Sequence, residues 1–499
     1  MTAFDDTSQP RELLVMLDRS GSRNLGTQIE EQLRSAIRDG ALRPGVGLPS
    51  TRDLARQIAV SRRVVVDAYA QLAAEGYLLL RQGARPRVSG RAVPARLPTV
   101  SRRAAPPAVY DFRPSVPDVS AFPRAAWLRS VRTALAIMTD ADLSYGDPRG
   151  VEALRVALAD YLGRVRGVVA DAEHIVITNG YTQGLGLVCR ALATTGAKRI
   201  ALEDPSNPGD RRIVEHAGLA PIAIGVDRAG TRVDDLERAD ADAVVLTPAH
   251  QHPTGVVLSG ERRTELLAWL GARNAVAIED DYDAEYRFDR SAIGALQGLD
   301  PSRIVYAGST SKTLAPALRI GWLVVPPTLI AAITEEKLLA DRGTSRIEQH
   351  ALADFVTRGE LDRHLRRTRA RYRSRRSTLV DALAELLPEA TVGGAAAGLH
   401  VTVQLPEGDD ETAIHEQARR RRVELETMND YRSYARKLAP TLLLGYGQIG
   451  EGAIHAGVRE LAAAIRDARD LGTLRDGVNS SREPDQRAPQ EEALRRATH

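Results

Sequence analysis

Apolar residues recur at helical spacing close to the start of the chain. In residues 26 to 39, GTQIEEQLRSAIRD, the positions Ile29, Leu33, Ala36 and Ile37 fall on one face, and Gly40 follows as a stop. A second helix is expected in STRDLARQI, with Ser50 or Thr51 as its cap and Leu54, Ala55 and Ile58 turned inward. Ser61 is placed to cap a third helix, RRVVVDAYAQLAAEG, whose inner stripe is Val64, Val65, Ala68 and Leu72 and which ends at Gly76. The next stretch, YLLLRQGARPRVSG, reads as two short strands around Gln82 and Gly83. Beyond residue 110 the pattern changes, and the β-branched runs HIVIT, RIALE, AVVLT, AVAIED and RIVYAG alternate with helical stretches. That alternation predicts a large three-layer α/β/α unit around a mainly parallel sheet.

The chain is thus divided into an N-terminal extension (1–20), a helical unit with a hairpin (21–90), a linker (91–109), an α/β unit (110–475) and a polar tail (476–499) expected to be disordered. The linker is rich in Pro, Ala and Arg and lacks a period, which makes it semi-rigid. A chain of 499 residues exceeds what one core serves. Cys189 is the single cysteine, which excludes an internal disulfide and a paired-thiol metal site, so no metal is expected. Acidic Asp5 and Asp6 stand where a secretory leader would be basic, and no apolar run is long enough for a bilayer, so a cytoplasmic protein without a membrane segment is expected. The net charge of +3 is unevenly spread: residues 20 to 92 hold twelve Arg and no Lys against three Asp and three Glu, a local net of +6. A polyanion partner for that unit alone follows.

Two arginines, Arg62 and Arg63, open the third helix at the end that would enter a major groove first, where a guanidinium can meet phosphate or pair with guanine. Arg52, early in the second helix, is placed for a backbone phosphate, and Arg85 and Arg87 flank the hairpin at Gly83. Any one of these alone reads as a solvated face. In the large unit, AGSTSKTLAPALRIGWL sets Lys312 after a strand, with Ser309, Ser311 and Arg319 close by in sequence. A lysine that condenses with an aldehyde cofactor needs a phosphate-binding cluster near it, and two hydroxyls and a guanidinium supply one. Upstream, Glu279-Asp280-Asp281-Tyr282 ends a strand with a carboxylate suited to a pyridine nitrogen and a hydroxyl suited to a phenolic oxygen. Gly180 and Tyr181 stand at a strand-to-helix turn whose free amides suit phosphate.

The segments LPSTRDLA, VSRR and AYAQLAAEGYL with the glycine-containing hairpin closely resemble the GntR superfamily of winged helix-turn-helix regulators. The resemblance implies DNA contact through Arg52, Arg62 and Arg63, with Gln82 and Gly83 at the wing. The order of the later motifs resembles the fold-type I aminotransferases, and the spellings EDDYDAEY and HQHPTG are similar to the MocR subgroup, in which the two domains are joined. This implies pyridoxal 5′-phosphate on Lys312, Asp280 on its ring nitrogen, Tyr282 on its phenolic oxygen, and Arg319, Ser309 and Ser311 on its phosphate. It also implies a head-to-tail homodimer whose site is shared, Tyr145 reaching the neighbour's phosphate.

Three positions depart from the aminotransferase pattern. His252 replaces the asparagine before PTG, so ring contacts are expected to pass to His250 or Gln251 or to be lost. Asn207 stands where relatives stack an aromatic ring on the cofactor. Leu443, in TLLLGYGQ, stands where aminotransferases place the arginine that clamps a substrate carboxylate. With that clamp gone, a transcription regulator that senses the cofactor itself, an amino acid or an amine is favoured over the alternative, a working aminotransferase with an accessory DNA-binding module. A purely structural dimerisation domain would leave Lys312, Asp280 and Arg319 without a purpose.

Overall fold

The structure, a computed structural model, describes residues 15–20, 24–90, 108–288, 293–433 and 439–480. Most of the expected linker, most of the N-terminal extension and residues 481–499 of the expected tail lie outside these. The chain divides into two units, residues 1–105 and 106–499.

In the first unit, α1 (Leu25–Arg38) is capped by the Asn24 side chain, α2 (Thr51–Gln57) by Ser50 and α3 (Arg62–Ala74) by Ser61. Each cap satisfies an amide that the helix itself cannot, a contribution of about 1 kcal/mol. The expected stripe packs into one core: Ile29, Leu33, Ile37, Leu54, Val65, Ala68 and Leu72 are fully or almost fully buried, joined by Tyr69. Leu78–Leu79 pairs antiparallel with Arg87–Val88 to form the hairpin. Residues 15–20, assigned by pattern to the extension, belong with this core: Val15 and Leu17 pack on it, and Arg19 donates to the carbonyls of Ile58 and Ala59.

The second unit is built on an eight-stranded sheet. Its strand order is Ile175–Thr178, Gly321–Val324, Ile304–Ser309, Val276–Asp281, Ala243–Leu246, Arg199–Asp204, Ala220–Asp227 and Gly230–Thr231. The pairs from Ile304–Ser309 through Ala220–Asp227 run parallel, while Gly321–Val324 is antiparallel to both of its neighbours. Apolar clusters on both faces explain the unbroken apolar strands, since a sheet covered by helices on each side has no polar face. A second, antiparallel sheet orders Thr391–Gly393, His400–Gln404, Thr441–Gly445 and Glu426–Thr427. The last helix, Glu451–Ser480, continues past residue 475, where the tail was expected to begin. No helix among the described residues is long and apolar enough to cross a membrane.

Candidate functional site

The carboxyl ends of the parallel strands surround a cavity of about 300 Å³, the place where open α/β sheets take their ligands. At one end Gly180 follows the strand Ile175–Thr178 and starts the helix Tyr181–Thr194, which has no side-chain cap. Gly180 adopts φ +84°, and a Cβ there would lie 3.1 to 3.3 Å from the guanidinium of Arg319, so only glycine lets that cation rest against the helix start. Arg319 donates to the Asn179 carbonyl. Ser309 accepts from the Ser311 amide at 3.3 Å, and Arg319, Ser309, Ser311, Tyr181 and Thr182 all line the cavity. A guanidinium, hydroxyls and free amides at a helix start form an anion-binding set.

Lys312 sits in the short helix Thr310–Thr313 that follows the strand Ile304–Ser309, and it faces the same cavity. Burial pulls its amine below the usual lysine range, opposed by the charges of Asp280, Asp283 and Glu426. That direction favours the free amine, the nucleophilic form. Asp280 also lines the cavity, and burial, with Asp210 and Asp281 near, pushes its carboxyl well above the usual range. Strand alternation explains the division of labour in EDDY. Glu279 accepts from the Leu296 and Gln297 amides at 2.9 Å and Asp281 pairs with Arg166 at 2.7 Å, both inside the protein, while Asp280 between them points to the cavity.

Tyr282 lines the cavity with its hydroxyl oxygen 3.0 Å from His250 Nδ1, and that nitrogen lies 3.1 Å from an Asp283 oxygen. With the Nδ1 hydrogen directed at the carboxylate, the Tyr282 hydrogen is free to donate into the cavity. Ring contacts were expected to pass to His250 or Gln251 or to be lost, and both residues are buried on other partners: Gln251 donates to Glu203 and to the Pro205 and His252 carbonyls. His252 itself forms the wall, held neutral by burial and by His400 and Lys312. Asn207 lines the cavity and also caps the helix Pro208–His216 through the Gly209 amide at 2.9 Å.

Among the wall residues that sequence reading missed are Asp210, Glu203 and Ser115. Asp210, one turn into the helix that Asn207 caps, looks like a surface acid in SNPGDRR, yet it is buried and accepts from the Tyr181 hydroxyl at 3.2 Å. Burial moves its carboxyl from 3.8 to about 7. The folded protein therefore holds a proton that the unfolded chain releases, and stability present at low pH is lost as pH rises through about 7. The cofactor-free protein is expected to melt at lower temperature as pH rises from about 5 to about 8, and Asp210→Asn to lessen that fall. Glu279 and Glu285, raised by burial to about 7, leave part of it in place. Glu203 is held by Thr231, Thr247 and Gln251. The third, Ser115, comes from a loop distant in sequence, and no motif marks it.

Leu443 is fully buried on the strand Thr441–Gly445, opposite Thr402 and Glu426, on the sheet face away from core residues Leu442 and Leu444. Tyr145 lies outside the cavity, 81% exposed in this chain, with the Arg342 guanidinium 5.7 Å from its ring centre. In the first unit Arg52, Arg62, Arg63, Gln82 and Gly83 are all exposed. Arg63 reaches only a 3.4 Å contact with Asp67, so its charge remains open to a partner. Arg62→Ala or Arg63→Ala is expected to cost about 1–3 kcal/mol in binding if the side chain meets a base. Arg52→Ala is expected to flatten the salt dependence of binding by about one unit. Titrations over a salt series separate the two, and equal, salt-independent losses for all three would mean a folding defect.

Residues 25–88 match the bacterial regulatory proteins of the gntR family and residues 120–424 the family of class I and II aminotransferases. The chain is 33% identical over 401 residues to the HTH-type pyridoxine biosynthesis transcriptional regulator PdxR of Corynebacterium glutamicum, which spans 79% of this chain and 86% of that protein. It is 30% identical over 487 residues to the probable rhizopine catabolism regulatory protein MocR of Rhizobium meliloti, 92% of this chain and 98% of that one. Among solved structures, Pyrococcus horikoshii kynurenine aminotransferase aligns with a TM-score of 0.66 at 26% identity, over 72% of this chain and 90% of that chain. With a gntR-family helix-turn-helix ahead of an aminotransferase-class fold, and regulators matched over nearly its whole length, the chain belongs to the MocR-type transcription regulators.

Proposed function

We propose that the large unit holds pyridoxal 5′-phosphate on Lys312 and uses its occupancy to set how the winged helix-turn-helix binds operator DNA. The observation that carries this is the pairing, in one cavity, of an anion-binding end with a buried lysine and a buried carboxylic acid. The donor set fits the cofactor: Arg319, Ser309, Ser311 and the start of the helix at Gly180 and Tyr181 would hold its phosphate, Asp280 would meet its ring nitrogen, and Tyr282 would donate to its phenolic oxygen. Asn207 and His252 would border the ring. The bound cofactor supplies an aldehyde and an electron-withdrawing ring. Lys312 would present its amine to that aldehyde, and Asp280, whose burial favours the protonated acid, would hold a proton against the ring nitrogen.

Leu443 favours a sensor over an enzyme. Transamination needs a substrate held so that its α-proton faces Lys312, and a leucine cannot grip a carboxylate. A sensor needs only a difference in affinity between two states of the protein. The exposed apolar side chains Leu135, Ile137, Leu143 and Leu339 support a homodimer, in which Tyr145 would reach the partner's site. A cytoplasmic regulator acting on DNA accords with these parts.

The test is reconstitution of the full chain with pyridoxal 5′-phosphate, borohydride reduction and peptide mass analysis. A cofactor-sized mass increase on the peptide containing Lys312 is expected. Its absence from folded protein would overturn the cofactor reading.

A further inference from the structure

The turn that seats Arg319 is held from behind, by residues that are not among those lining the cavity. Asn179 joins the strand Ile175–Thr178 to Gly180, and its carbonyl accepts from Arg319. Its side-chain amide donates to Asp341 at 2.7 Å, and its backbone amide donates to the Gln183 side chain at 2.7 Å. Gln183 in turn donates to the same Asp341 oxygen at 2.6 Å. Asp341 is the last residue of the helix Ile330–Asp341, so a distant element fixes the Asn179 side chain directly and its backbone amide through Gln183.

Lys337, one turn earlier on that helix, completes the arrangement. Its side chain is fully buried, and its amine donates to Asp341 at 2.7 Å, to Gln183 at 2.9 Å and to Thr344 at 2.9 Å. An ammonium has three hydrogens to donate and no lone pair, so these three oxygens match its charged form. Burial pulls the amine below the usual lysine range, opposed by the bond to Asp341. The Asp341 carboxyl, which burial would raise, is brought below the usual carboxylate range by Lys337 and Gln183. Its second oxygen accepts from the Gly343 amide at 2.9 Å, and with both oxygens engaged the carboxylate is held in one orientation. A buried ion pair adds little stability over apolar side chains of similar volume, so stability alone does not account for one here.

We infer that Asp341, paired with Lys337, is a positioning residue for the cofactor's phosphate: through Asn179 it fixes the carbonyl that orients the Arg319 guanidinium and the Gly180 turn that starts the helix Tyr181–Thr194. This rests on the cofactor reading of that site. A guanidinium whose direction is set before the anion arrives loses less of its binding free energy to ordering. Asp341 acts only through the turn. Its influence therefore falls on the part of the ligand that the turn meets, the phosphate, and not on the aldehyde that Lys312 meets.

The test compares pyridoxal 5′-phosphate with pyridoxal, which keeps the aldehyde and lacks the phosphate, by the concentration of each that half-saturates borohydride trapping on the full chain. Asp341→Asn keeps the size of the side chain but only one acceptor oxygen. Asn179→Ala removes only the tether and leaves the Lys337–Asp341 pair in place. Each is expected to raise the half-saturating concentration of pyridoxal 5′-phosphate about tenfold, the size of one hydrogen bond to a charged group, and to leave that of pyridoxal little changed. Because Asp341 acts through Asn179, the double variant is expected to lose less than the product of the two single losses. Equal losses for both ligands, no loss in a folded Asp341→Asn chain, or losses that multiply would overturn the inference. If Asp341→Asn does not fold, Asn179→Ala decides the matter, and an undiminished advantage of the phosphorylated ligand overturns it. A Lys312 adduct in the parent chain whose dependence on phosphate survives these changes defeats this inference alone, whereas no adduct at all defeats the cofactor reading and this inference with it.

Discussion

Lys312→Ala is expected to abolish the borohydride-trapped cofactor adduct at every concentration of pyridoxal 5′-phosphate, because no other lysine lines the cavity among the described residues. The visible absorbance of the linkage is expected to vanish with it. Arg319→Ala provides the contrast. Losing a charge-assisted contact to phosphate costs about 1.5–3 kcal/mol, on the order of ten- to a hundredfold in affinity, yet saturating cofactor still reaches Lys312 and is trapped. Loss of trapping that high cofactor restores thus marks the anion-binding end, and loss that no concentration restores marks the bond. If Lys312→Ala were trapped as fully as the parent chain, the assignment of the linkage would be wrong.

The second large effect lies one residue from the site. Asp281 and Arg166 form an ion pair at 2.7 Å with side chains 2% and 1% exposed, and the Tyr306 hydroxyl donates to the same carboxylate oxygen at 2.9 Å. Asp281→Ala leaves a guanidinium buried without its counter-charge, and a loss of about 3–5 kcal/mol in stability is expected. The paired replacement Arg166→Met with Asp281→Leu is expected to recover most of it, since the penalty lies in the orphaned charge. Thermal melts of the three variants decide this. A mild effect of Asp281→Ala, with no recovery in the pair, would contradict it. Because Asp280 and Asp281 are neighbours on one strand, the single variant is also expected to bind cofactor weakly.

The parts of this architecture that depend on local period were legible in the chain. The buried stripe of the first unit, its serine caps and the five β-branched strands follow from spacing alone. Asp280 was singled out by the resemblance and not by its spacing; in the fold, alternation along EDDY turns its carboxyl away from those of its two neighbours. What spacing could not carry was chirality of the backbone and contact between distant segments. Ser115 lines the cavity at φ +58°, on a loop packed against Gly445 and Gly447, more than three hundred residues away in sequence. Asp210 reads as a surface acid until the fold turns its helix start toward the cavity. For the same reason spacing left open whether ring contacts pass to His250 or Gln251 or are lost: those two residues find Asp283 and Glu203, which sequence order does not bring near.

If the aminotransferase-like unit is a sensor for the DNA-binding unit, cofactor must change operator affinity, which is read by titrating a labelled duplex from the region flanking the protein's own gene. The cofactor-free and the cofactor-loaded chain are compared at one salt concentration, and transamination of common amino acids is assayed on the same preparation. Allosteric coupling of ordinary size, about 1–3 kcal/mol, gives a change in DNA affinity of about 5- to 150-fold on loading, with negligible turnover. DNA affinity indifferent to the cofactor, together with multiple-turnover transamination at ordinary enzymatic rates, would contradict it and make the enzyme reading the better one.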